Sequence, residues 1–187
     1  MVRKIKSCIF VSGNGSNLKS ILKNSREYNF PISINLIISN KKKSGGLNLA
    51  KKYGISYKYF SSKNLSIFEK NCLNEIKKKK IKFLCLAGFM KILSKSFIKN
   101  FKNGVINIHP SLLPKYKGLN THARAIKNKD KFAGCSVHYV SSKVDAGKII
   151  MQKKVRITAK DNSISLSKKV LKKEHKLYPE SILKIFN

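Results

Sequence analysis

The sequence predicts an α/β fold: a mostly parallel sheet flanked by helices, Rossmann-like in its N-terminal half, with an antiparallel hairpin near the C-terminal part. Three observations predict it. Short apolar-rich runs recur, at Ile5 to Val11, Ile32 to Ile38, Phe83 to Ala87 and Val105 to Ile108, of which Phe83 to Ala87 is continuously apolar. Runs of that length read as strands, and a continuously apolar one as a strand covered on both faces. Between them lie stretches with apolar residues at helical spacing, and strands alternating with helices build a parallel sheet. Two later runs, Phe132 to Val140 and Ile149 to Ile157, are joined by a short loop containing Gly147. The 187 residues fit a single domain, 1–187, large enough for a sizeable core.

The first strand, Ile5 to Val11, runs into Ser12-Gly13-Asn14-Gly15-Ser16-Asn17-Leu18, after which Leu18, Ile21 and Leu22 share a helix face. Strand, glycine loop and helix start is a geometry that binds phosphate: backbone N–H groups turn inward and the helix N-terminus adds partial positive charge. Ser16 or Asn17 is placed to cap that helix or to donate to a ligand. Leu18 replaces the third glycine of a dinucleotide fingerprint, and the second strand ends at Ser39-Asn40 without a ribose-binding acid. No Walker lysine follows. The loop therefore reads as a mononucleotide-like phosphate cradle, with a plain tight βα turn as the competing reading.

Lys41-Lys42-Lys43-Ser44-Gly45-Gly46 is a basic loop before a short helix, Leu47 to Tyr53, and Ile55 to Tyr59 alternates like a strand near an edge. Leu65, Phe68, Cys72 and Ile76 mark a third helix whose end is charged by Lys77 to Lys80, where cations suit the dipole. The buried strand Phe83 to Ala87 is left by Gly88-Phe89-Met90-Lys91-Ile92-Leu93. That segment fits the wall of a pocket for a flat aromatic ligand, and fits simple core equally. Ser94 then caps a helix through Phe101.

Next comes Asn107-Ile108-His109-Pro110-Ser111-Leu112-Leu113-Pro114. Asn107 and His109 are two apart, so on an extended chain they share a side. Two prolines stiffen the exit. An amide donor and a group that carries a proton near neutral pH are apparatus for a carbonyl whose oxygen becomes negative. A basic loop, Lys115 to Asn120, leads to a helix from Thr121 to about Asn128. Asp145, in the loop Ser141 to Gly147, is either an ordinary turn former or the partner of His109. Asp161-Asn162-Ser163 starts a last helix, which Tyr178-Pro179 breaks or kinks.

The net charge of +33 invites a nucleic-acid reading. Lys far outnumbers Arg, however, and the lysines are scattered. Lys, Asn, Ile, Phe, Ser and Tyr are abundant and all can be written with A/T-rich codons, so a biased composition accounts for much of the charge. Cys8, Cys72, Cys85 and Cys135 form no C-x-x-C pair and read as small buried thiols of a reducing compartment. No apolar run reaches the ~18 residues of a membrane span. The basic start, Met1 to Lys4, is followed by an apolar run too short for a signal peptide. A cytoplasmic location and no membrane partner are expected. His109, His122, His138 and His175 lack metal-ligand spacing, so no metal is expected.

Several motifs coincide in order. They are Ser12 to Leu18, Leu86-Ala87-Gly88-Phe89-Met90-Lys91-Ile92-Leu93-Ser94, and Asn107 to Tyr116. Gly134-Cys135-Ser136-Val137-His138-Tyr139-Val140, Asp145-Ala146-Gly147, and Glu174-His175 with Tyr178-Pro179 follow. Together they closely resemble the phosphoribosylglycinamide formyltransferase family, folate-dependent enzymes of purine synthesis, almost end to end. The resemblance implies the formyltransferase fold, 10-formyltetrahydrofolate as co-substrate, and attack of the glycinamide ribonucleotide amine on the formyl carbon. It implies that Asn107 and protonated His109 hold the oxyanion, and that Asp145 raises the pKa of His109 and helps move protons. It implies that Gly15, Ser16 and Asn17 receive the substrate phosphate. Leu171, Lys172, Lys173 and Glu174 line the glycinamide-ribose side. Met90, Lys91, Ile92 and Leu93 cup the folate with Asn107 and with Ser141, Ser142, Lys143, Val144 and Asp145. The Leu113-Pro114 bond resembles one that is cis in the family. Leu65 stands where many members have a folate-touching Arg, with Lys63 the nearest cation, and Asn120 where some have His. The implied partners are small molecules, with no specific nucleic acid, in a monomer or homodimer.

Rival readings remain distinguishable. A formyl-methionyl-tRNA synthesising enzyme would carry an added C-terminal nucleic-acid domain. A formyltetrahydrofolate hydrolase would carry an N-terminal regulatory one. A non-enzymatic lysine-rich nucleic-acid binder would show a continuous basic face with interleaved aromatics.

Overall fold

A computed structural model describes residues 4–101 and 103–187; the basic start at residues 1–3 lies outside them. The elements are β1 (Ile5–Val11), α1 (Ser16–Asn24), β2 (Ile32–Ser39), α2 (Gly45–Lys52), β3 (Tyr57–Tyr59), α3 (Leu65–Lys78) and β4 (Phe83–Leu86). Then come α4 (Lys95–Asn100), β5 (Gly104–His109), α5 (Thr121–Lys127), β6 (Phe132–Tyr139), β7 (Ile149–Arg156) and α6 (Ser163–Phe186). The predicted α/β class holds, with strand order β3-β2-β1-β4-β5-β6-β7 in a mixed sheet. The chain forms two compact units, one ending at Ile106 and the other Asn107–Asn187.

In the first unit β1 pairs in parallel with β2 and β4, and β2 in parallel with β3. Covered on both faces, β1 keeps Cys8, Ile9, Phe10 and Val11 out of water. Phe10 meets Phe68 and Phe89 edge-on, with centroids 6.1 and 5.3 Å away. The helix faces are those the spacing predicts: α1 buries Leu18, Ile21 and Leu22, and α3 buries Phe68, Cys72 and Ile76.

Two boundaries differ. The helix predicted from Leu47 begins at Gly45, because the Ser44 side chain caps it by accepting from the Leu47 N–H at 3.3 Å. Its glycines belong to a packed turn rather than a loop: a Cβ on Gly46 would stand 2.4 Å from Val11 Cγ1. The edge strand predicted over Ile55 to Tyr59 shortens to Tyr57–Tyr59, all exposed. Ile55 donates instead to Ala50 at the end of α2.

In the second unit β6 and β7 form the predicted antiparallel pair, with an irregularity between Val137 and His138. The last helix, α6, packs on both strands and buries Leu166, Val170, Leu177, Tyr178 and Ile182. It continues through Tyr178-Pro179, so of the break or kink expected there the break does not occur. Pro179 is buried with Leu177, Tyr178, Ser181 and Ile182, and that packing outweighs the lost backbone hydrogen bond. Lys153 on β7 bonds Glu180 of α6 at 2.6 Å. All four cysteines are free and buried. Among the described residues no helix is long and apolar enough to cross a membrane.

Candidate active site

Burial of Val105, Ile106 and Ile108 fixes β5, which ends at His109. The turn that follows is tied down by one hydroxyl. Ser136 Oγ donates to the Ser111 carbonyl at 2.6 Å and accepts from the Leu113 N–H at 3.0 Å. Gln152 Nε2 donates to Ser136 Oγ and to the Leu113 carbonyl, at 2.8 and 2.9 Å. Leu113-Pro114 is cis, as the resemblance implies.

His109 is 5% exposed and stands between two acceptors. Nε2 faces the Tyr116 carbonyl at 2.8 Å and Nδ1 faces Asp145 Oδ2 at 3.3 Å. Neither acceptor can donate, so this geometry suits a ring carrying a proton on each nitrogen. Asp145 therefore partners His109, which decides between the two readings of that loop acid. Its other oxygen faces His138 Nε2 at 3.5 Å, and the Gly118 N–H donates to Oδ2 at 2.9 Å. Burial pushes the Asp145 carboxyl up. The hydrogen bonds from His138 and Gly118 and the charges of both histidines outweigh that, so it sits below its ordinary value. Asp145 adopts the left-handed region, φ 46°. Gly147 explains the close return of the loop: a Cβ there would lie 1.7 Å from the Tyr139 carbonyl oxygen.

Asn107 is half-buried, and its Nδ2 lies 3.3 Å from His138 Nε2. His138 Nδ1 faces the Tyr139 carbonyl at 2.8 Å, and its Nε2 is shared between Asn107 Nδ2 and the Asp145 carboxylate. The second amide hydrogen of Asn107 then suits a ligand oxygen. Asn107, His109, His138 and Asp145 thus form one cluster, able to donate to an oxyanion and to relay a proton.

The glycine loop is in the first unit. Gly15, at φ 77°, is the N-cap of α1, so neither Ser16 nor Asn17 caps it: Ser16 is the first helical residue and Asn17 is buried. The left-handed glycine turns the chain without a capping side chain. Gly46 N–H donates to the Gly13 carbonyl at 3.2 Å, and a Cβ on Gly15 would touch Gly46 Cα at 3.0 Å. The first turn of α2 thereby holds the cradle from behind. In the same unit Met90, Lys91 and Ile92 are exposed and Leu93 is buried.

In the second unit Ser142, Lys143 and Val144 are exposed, and Ser141 and Asp145 are half-buried. On α6, Lys172 and Lys173 are exposed, Leu171 is half-buried and Glu174 is buried. Sequence reasoning missed His138, Ser136 and Gln152 as members of the site. His138 stands on a strand buried without a break from Ala133, so no alternation marks it; only its place two residues beyond Ser136 does. Among the described residues no group of three or more His, Cys, Asp or Glu could hold a metal ion.

The formyl transferase family model matches residues 5–182. The chain is 36% identical over 176 residues to phosphoribosylglycinamide formyltransferase of Escherichia coli, covering 91% of this chain and 82% of that one. It is 37% identical over 183 residues to the human trifunctional purine biosynthetic protein adenosine-3, covering 96% of this chain but only 18% of that protein. The crystal structure of phosphoribosylglycinamide formyltransferase from Brucella melitensis superposes with a TM-score of 0.92 at 37% identity, over 98% of this chain and 96% of that one. A residue pattern, a sheet order and a fold shared over nearly the whole length agree: the chain belongs to the formyl transferase family.

Proposed function

We propose that this chain, as one formyltransferase domain, transfers the formyl group of 10-formyltetrahydrofolate to the primary amine of 5′-phosphoribosylglycinamide in purine synthesis. The observation that carries the proposal is the imidazole of His109 paired with Asp145 at 3.3 Å, beside the amide of Asn107. The amine nitrogen bonds to the formyl carbon, whose oxygen takes up negative charge. Asn107 and His109 donate to that oxygen, which is worth most when the donors are fixed beforehand. The formyl oxygen competes with the Tyr116 carbonyl for the hydrogen on His109 Nε2. Asp145 accepts the proton the amine sheds, directly or through water, and a proton passes to the leaving folate nitrogen as its bond to the formyl carbon breaks.

Gly15, Ser16 and Asn17 take the phosphate: a left-handed glycine opening a helix N-terminus supports that role. Met90, Lys91, Ile92 and Leu93, with Ser141 to Asp145, take the folate. The apolar side chains of Met90 and Ile92, each 65% exposed, suit a flat ring. Leu171, Lys172, Lys173 and Glu174 serve the glycinamide ribose. The partners are these small molecules, and four buried free thiols suit a reducing cytoplasm.

The test follows folate absorbance with glycinamide ribonucleotide, formylatable tRNA or water as acceptor. Only the first should support turnover; formylation of tRNA, or hydrolysis in water alone, would replace this reading. His109→Ala should lose ~10²–10⁴-fold in turnover, and Asn107→Ala ~10²–10³-fold.

A further inference from the structure

Met90 and Ile92 expose apolar side chains on a loop that is nevertheless fastened at both ends. At its start the Ser12 N–H donates to the Gly88 carbonyl at 3.1 Å, and the Met90 N–H donates to Ser12 Oγ at 2.8 Å. At its end the Ser94 N–H donates to Glu69 Oε1 at 2.7 Å, and Ser94 Oγ donates to Glu69 Oε2 at 2.5 Å. Glu69 is one of only 8 acidic residues in a chain with 41 lysines and arginines. It is 7% exposed, and the bonds it makes here go to a serine rather than to a cation. Capping does not require it, since Ser94 Oγ already caps α4 by accepting from the Phe97 N–H at 3.0 Å. The neighbouring Phe68 stacks on Phe89, with centroids 5.8 Å apart and planes 17° apart. Two consecutive residues of α3 thus grip the loop on either side of Met90 to Leu93.

We propose that Glu69 is a positioning residue: through Ser94 it sets the shape of the Met90–Leu93 hook, and hence the affinity for the formyl donor. This rests on the assignment of that hook to the folate. A carboxylate does this better than an amide. Both of its oxygens accept, whereas Gln at 69 would turn one N–H₂ toward a hydroxyl whose hydrogen then has no acceptor there. A hook misplaced by a fraction of an ångström loses contact with a rigid flat ligand, and the bonds from Glu69 act at its Ser94 end rather than at the end that Ser12 ties to the glycine loop.

The experiment measures two dissociation constants on the full chain, one for a non-transferring 10-formylfolate analogue and one for glycinamide ribonucleotide. The variants are Glu69→Gln, Ser94→Ala and the double variant, with Ile76→Val on the same helix and Met90→Ser on the hook as references. Glu69→Gln and Ser94→Ala should each weaken folate-analogue binding roughly tenfold, the scale of one charge-assisted hydrogen bond. The double variant should be no worse than either, because one interaction is shared. Binding of the ribonucleotide should not change. Ile76→Val should lower the melting temperature and leave both constants alone. If Met90→Ser weakens the folate analogue while Glu69→Gln and Ser94→Ala do not, the proposal fails and the folate assignment stands. Equal weakening of both ligands in Glu69→Gln, tracking its loss of stability, also overturns the proposal. If Met90→Ser leaves folate binding intact, the assignment fails and this proposal with it. Should Glu69→Gln not fold, Ser94→Ala cuts the same bond from the other side.

Discussion

Two imidazoles share one carboxylate, and the carboxylate and two further histidines respond to acid in the same sense. His122 is held below its ordinary value of 6.5 by burial and by the nearby His109 charge; His175 is lowered by burial. A histidine depressed on folding binds fewer protons folded than unfolded, so its stabilising share is full above 6.5 and fades as pH falls toward its folded value. Asp145, also depressed, contributes above its ordinary 3.8 and loses that contribution as pH falls through its lower folded value. Melts between pH 8 and 3 should show midpoint losses in both windows. His122→Gln should shrink the upper loss and Asp145→Asn the lower. A flat profile from pH 7 to 5, or one unchanged by His122→Gln, would contradict this account. How far these residues were legible depends on local pattern. Asn107 and His109 show themselves by a two-residue spacing ahead of two prolines. Asp145 stays ambiguous from sequence because a loop acid looks the same whether it faces water or a histidine far away in the chain. His138 is marked only by standing two residues beyond Ser136 on a strand buried without alternation.

Elements place those residues, and glycines decide where elements touch. Gly147 lets the loop after β6 return against Tyr139, and a methyl group there would meet a carbonyl oxygen at 1.7 Å. Gly147→Ala must therefore move the loop that carries Asp145. It should cost about 1–3 kcal/mol of stability, the usual size for overpacking, and lower turnover as His109 loses its partner. Denaturant melts with single-turnover rates check it; normal turnover in a destabilised variant would mean that the loop adapts without moving Asp145. Strands and helix faces were readable because burial on two faces, or on one stripe, dictates residue type at each position. Three details were not. The start of α2 depends on Gly45 and Gly46 packing on Asn14 and Val11. The short β3 depends on Ile55 bonding back to α2. The passage of α6 through Pro179 depends on burial that no local propensity reveals.

For the whole molecule the charge of +33 is the dominant fact. Much of it is arranged at little cost. Lys23, Lys51 and Lys52, Lys77 and Lys78, Lys99, Arg124 with Lys127, and Lys184 lie in the last turns of successive helices, where cations are favourable. The scarce acids are placed where one is needed. Glu69 holds Ser94, Asp130 holds Tyr116, Asp145 faces two histidines, Asp161 faces Lys169 and Glu180 faces Lys153. The remaining like charges repel one another, and salt screens that repulsion: the Debye length falls from about 30 Å at 0.01 M to about 8 Å at 0.15 M. Raising salt over that range should increase the melting temperature by about 2–4 °C for each kcal/mol of repulsion relieved. The same salt should raise KM for the phosphate-bearing substrate, whose attraction to a cationic surface is screened too. Replacing Lys82, Lys131 and Lys154, exposed and outside the helix ends, with Gln should raise the low-salt melting temperature and flatten its salt response, with turnover unchanged. Stability that falls with salt would mean that a few ion pairs outweigh the general repulsion. Retention on duplex DNA that persisted at 0.5 M salt would mean the charge serves a specific polyanion rather than reflecting composition.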